Sequence, residues 1–112
     1  MDYLKLIGDL RQLSFEEIRS DSSEYFEAVF SVDILNQVHA KLEEYFGTPF
    51  KPAGVQPSKE AQKQTKSLGG IRADQTLFIA EHDTYLYYAM FWPWSNGTLI
   101  TLKVAQYQRK ES

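Results

Sequence analysis

The sequence has no cysteine, so disulfides, thiolate metal sites and cysteine nucleophiles are excluded. Histidine is scarce as well, with only His39 and His82. No apolar run approaches the roughly 20 residues that a membrane-spanning helix needs. The opening residues, Met1 to Asp9, carry no basic segment followed by a long apolar one. A secretory signal is therefore not expected, and the cytoplasm is the expected compartment. Phosphate-binding glycine loops are missing too. Gly69-Gly70-Ile71-Arg72 has neither the Walker A nor the dinucleotide spacing, and there is no Gly-x-Ser-x-Gly elbow. His39 and Glu43 lie four apart, stacked on one helix face, but two ligands do not make a metal site. The carboxylates Glu16, Glu17, Glu24, Glu27, Glu43 and Glu44 read as caps and solvated faces. No catalytic residue, metal or cofactor is expected from these patterns.

What is present is a chain of 112 residues, long enough for one domain with its own core. Hydrophobic residues make up 43% and charged residues 24%, the balance of a soluble globular protein. The net charge of −3 is unevenly spread. Residues 1–50 hold ten acids and four bases, whereas residues 51–72 hold five bases and one acid. A basic connector thus follows an acidic front half.

The most informative stretch is 84–105, an aromatic hairpin. Asn96-Gly97 suits a two-residue type I′ turn, which would set Phe91 opposite Leu102 and Ala89 opposite Val104. Alternation then places Tyr85, Tyr87, Ala89, Phe91, Ile100, Leu102 and Val104 on one face. Leu86, Tyr88, Met90, Trp92, Trp94, Leu99, Thr101, Lys103 and Ala105 fall on the other. Neither face is polar, so each needs a cover, and Pro93 belongs at a non-bonded position or a bulge. Gln75 to Glu81 alternates as a further strand. With His82-Asp83 as its turn, Phe78 would oppose Tyr87.

Upstream, Leu6, Leu10 and Leu13 form a helical stripe. Ser14-Phe15-Glu16-Glu17 is a capping-box pattern that predicts a helix over 15–19. Asp21-Ser22-Ser23-Glu24 repeats that logic for a helix over 25–30, where Phe26, Ala28 and Phe30 would equally suit a strand. Val32, Leu35, Val38 and Leu42 define a helix over 32–46, capped by Ser31 or Asp33 and stopped by Gly47 and Pro49. Pro49, Pro52, Gly54 and Pro57 stiffen an irregular connector. Ser58 caps a polar helix over 59–67, with Ala61, Thr65 and Leu68 as its only apolar support and Lys59, Lys63 and Lys66 on one side. Gly69-Gly70 ends it.

The expected fold is α+β: N-terminal helices (1–46) and a basic connector (47–72), with a C-terminal three-stranded antiparallel meander (73–107) and a disordered tail (108–112). The expected function is a small non-enzymatic binding or protein-interaction module. Its surface would be Tyr88, Met90, Trp92 and Trp94, with Lys63 and Arg72 nearby. The partner would be another protein, a second copy or an apolar small molecule, and not a membrane. One alternative is a small enzyme with a pocket between connector and sheet, using His82, Asp83 or His39 with Arg72 as an anion anchor. The other is single-stranded nucleic-acid binding through the aromatic sheet and the basic connector, against which the acidic pI of about 5.3 weighs.

Overall fold

The computed structural model describes residues 1–66 and 69–108. Its element order is α1 (Tyr3–Leu10), β1 (Glu17–Asp21), β2 (Tyr25–Ser31), α2 (Leu35–Phe46), α3 (Lys59–Thr65), β3 (Thr76–His82), β4 (Tyr85–Pro93) and β5 (Leu99–Gln108). The α+β class holds, but the sheet has five antiparallel strands rather than three, in the order β1-β2-β5-β4-β3. The last strand made is therefore the central one.

The two extra strands come from segments whose local signals favour helix. The capping-box segment at 15–19 is largely β1, and 25–30 is β2. Windows this short nucleate helices poorly, so tertiary pairing decides. β5 carries Ile100, Leu102 and Val104 along one face, and β2 supplies Phe30, Ala28 and Phe26 directly opposite them. Period-two alternation outweighed the caps. Ser22 instead closes the β1–β2 turn, accepting from the Tyr25 amide at 3.1 Å.

The β4–β5 register is the expected one, with Phe91 facing Leu102 and Ala89 facing Val104. The turn differs. Only Gly97 has positive φ (74°), so this is not a type I′ turn. The Asn96 side-chain oxygen accepts from the Thr98 and Leu99 amides at 2.9 and 3.2 Å. Pro93 costs no ladder bond. The Trp94 amide bonds back to Leu99, so the next backbone site points away from β5, beyond the first paired residue of β3. In the β3–β4 hairpin the turn is Asp83-Thr84, with Asp83 at φ 54° and Phe78 opposite Ala89 rather than Tyr87. That shift is by two residues, so every side chain keeps its expected face.

α1 and α2 cover one face. Tyr3, Leu6, Ile7 and Leu10 of α1, with Val38 and Leu42 of α2, pack with Phe26, Phe30, Phe78, Phe91, Leu102 and Val104. Asp2 caps α1 by accepting from the Lys5 amide at 3.0 Å. Ser31 caps a short 3-10 turn at 32–34 that leads into α2. Tyr45 of α2 donates to the Asp9 carboxylate of α1, and Arg11 grips Asp21 of β1 in two bonds of 2.8 and 2.6 Å.

Among the described residues, α3 is the helix on the opposite face. Ala61 is buried with Leu77, Tyr88 and Met90, and Ile71, Ile79, Leu86 and Trp92 pack around them. Ser58 caps α3 with a 3.0 Å bond from the Ala61 amide, and Gly70, at φ 81°, donates to Thr65. The expected extension of this helix to 67, the support from Leu68 and the tail at 109–112 lie outside the described residues. Position 108, placed in the tail from sequence, ends β5.

Candidate functional site

Of the residues expected to form a bare aromatic face, Tyr88 and Met90 are covered. They lie beneath α3, 5% and 1% exposed, and the Tyr88 hydroxyl bonds Gln64 at 3.2 Å. Their place in the pattern is correct, but the polar helix that follows Ser58 covers them through Ala61. Lys63 is exposed on α3. Arg72 is exposed in the loop before β3 and pairs with Asp74 at 3.4 Å.

Trp92, near the end of β4, packs at the margin of the patch that α3 covers, and Trp94 follows the strand; both are half-buried. Each is overlain by a cation from a different strand. The Lys103 ammonium sits 3.8 Å from a Trp92 ring centroid, and the Arg19 guanidinium lies 5.5 Å from a Trp94 ring. The Trp94 indole N–H donates to Thr101 at 2.8 Å, which fixes the ring against β5. The Trp92 N–H is buried and has no partner among the described residues. Arg19 also approaches Glu17 at 3.3 Å and Glu27 at 3.9 Å, and the Tyr25 hydroxyl donates to Glu27 at 2.5 Å. Burial, followed by the Glu27 carboxylate, pushes the Tyr25 hydroxyl pKa upward. The result is a strip of two indoles, two cations and two carboxylates with no net charge. Lys103 was legible on the tryptophan face. Arg19 was not, because its position depends on β1 being a strand.

A second concavity lies on the other side of the sheet. Leu35 and His39 of α2, Pro52 and Ala53 of the connector, Asp74 and Thr76, and Phe91, Pro93 and Ile100 line an open cleft of about 150 Å³. His39 is held by Glu43, with Nδ1 2.5 Å from the carboxylate, and its ring tilts against Phe78 and Phe91. Beside this cleft, Lys51 is 3% exposed and directs its ammonium at three backbone carbonyls. Pro52, Ala73 and Gln75 accept at 2.7, 2.8 and 2.5 Å. Burial holds its pKa below the ordinary lysine value, partly offset by Asp74. Its backbone also bridges Leu77 at the open edge of β3. The lysine is thus a clamp that fixes one cleft wall.

His82 and Asp83 form an exposed pair at 3.3 Å, with side chains 62% and 81% open. Arg72 precedes β3 whereas His82 ends it, so the strand alone separates them by roughly 20 Å. The histidine that does share a concavity with a carboxylate is His39. Among the described residues no group of three His, Cys, Asp or Glu could hold a metal, and no helix is long and apolar enough to cross a membrane. No protein-family model matches the chain, and neither a similar curated protein nor a similar solved structure was found.

Proposed function

We propose that the chain is a small non-enzymatic protein-interaction module that docks through the Trp92–Trp94 strip. The observation that supports this most is the pairing of two half-buried indoles with Lys103 and Arg19 at the margin of the patch that α3 covers. Trp, Tyr and Arg are the side chains that concentrate binding energy in protein interfaces. Here the cations lie against the rings in advance, which lowers the ordering cost of association.

The strip carries Arg19 and Lys103 together with Glu17 and Glu27. A surface with both signs around an apolar centre is able to oppose a copy of itself across a twofold axis, cation to carboxylate. A second copy is therefore the partner to examine first. Light scattering over a concentration series, read with acrylamide quenching of tryptophan, tests the reading. Reversible dimerisation with falling quenching supports it. A monomer whose indoles are already shielded contradicts it.

The enzymatic alternative, in its His82 and Arg72 form, has no assembled site. The nucleic-acid alternative is disfavoured by the same strip, where carboxylates balance the cations and offer no track for a phosphate backbone.

A further inference from the structure

We infer that the cleft between α2, the connector and the sheet binds a small apolar molecule bearing a single hydrogen-bond donor, a hydroxyl or a primary ammonium. This is independent of the indole strip, which lies on the opposite sheet face. The size follows from the cavity: about 150 Å³ matches a benzene-sized guest. The walls supply an apolar seat through Leu35, Phe91, Pro93 and Ile100.

The polarity follows from what the lining can offer. Glu43 as a carboxylate only accepts, so the 2.5 Å contact puts the proton on His39 Nδ1. In the neutral ring Nε2 is then an acceptor, and it has no partner among the described residues. Asp74 adds a second acceptor. Two of the lining residues, Pro52 and Pro93, have no backbone N–H to give. Of the nearby donors, Lys51 is spent on three carbonyls and Arg72 pairs with Asp74 at 3.4 Å. Only the Thr76 hydroxyl can serve either way. A guest presenting an acceptor would therefore find few donors, whereas one presenting a donor would meet the His39 ring and a carboxylate.

Four probes of similar size separate the possibilities: phenol, benzylamine, toluene and benzoate, titrated into the full chain at mildly alkaline pH. Two-dimensional NMR follows Leu35, Thr76, Phe91 and Ile100. Phenol or benzylamine should shift these signals saturably and bind about tenfold more tightly than toluene or benzoate, the equivalent of one good hydrogen bond. Preference for benzylamine that is lost in Asp74→Asn identifies the ammonium class. Preference for phenol that survives Asp74→Asn identifies the hydroxyl class. His39→Leu should abolish the preference for donors while leaving toluene unchanged. The Asp74 side chain is 56% exposed, so Asp74→Asn reads the site even if the helix variant folds poorly. Binding of toluene or benzoate as tight as that of the donors overturns the inference. So does an absence of shifts with all four probes.

Discussion

Two buried polar side chains show how far single residues govern this molecule. Lys51→Met would keep the aliphatic stem and strip three carbonyls of their shared donor. Urea unfolding should show a loss of about 2–4 kcal/mol from the Pro52 and Gln75 acceptors left behind, since the Ala73 carbonyl keeps the Gly54 amide at 2.7 Å. Tyr3 gives a pH signature instead. Burial, then the charges of Asp21 and Glu24, push its hydroxyl up to about 12. The folded state thus holds a proton that the unfolded chain releases near pH 10. The stability tied to this group is complete below about pH 10 and drains away as pH rises to about 12. Tyr3→Phe should flatten that part of the alkaline decline in a pH series of urea melts while changing little at neutrality, since the bond to Val104 is long at 3.4 Å. Neither role was visible in the sequence. Lysine is the residue least expected inside, and Lys51 read as one more charge in a basic connector. The three carbonyls that receive it come from positions up to 24 residues away.

At the scale of elements, periodicity was a better guide than capping. The 2.0-residue alternation at Phe26, Ala28 and Phe30 was visible, but its partner strand β5 begins some 70 residues later, so local signals could not weigh the pairing. α2 and the β4–β5 register were legible because each is specified within its own stretch. The face assignment in β3 survived a wrong turn because the error was an even number of residues. α3 was underestimated: two buried residues, Ala61 and Thr65, suffice to seat it over Leu77, Tyr88 and Met90. Ala61→Arg should lift this helix without unfolding the sheet. Hydrogen exchange is expected to lose protection in residues 59–65 while β4 and β5 stay protected, with a destabilisation of about 1–3 kcal/mol. Loss of protection across the whole sheet would show that α3 belongs to the global folding unit.

For the molecule as a whole, the sequence showed that β4 is apolar on both sides and that something must cover each. The structure answers unevenly: two helices on one face and one short helix on the other, with Trp92 at that helix's margin and a cation over each indole. The aromatic half of the site and Lys103 were therefore readable, and Arg19 was not, because it reaches Trp94 only through the order β1-β2-β5-β4. Charge should matter to association in a defined way. Exchanging the Arg19 sign, as Arg19→Glu, should weaken self-association about tenfold or more by setting like charges opposite one another, and the wild-type interaction should weaken with added salt. The most direct measurement is light scattering from micromolar to millimolar protein, on the wild type and Trp94→Ala, with tryptophan quenching recorded on the same samples. A dimer that forms reversibly, protects its indoles and is lost in Trp94→Ala is the result this structure leads us to expect. A wild-type monomer at every concentration, with both indoles shielded from acrylamide, would contradict it.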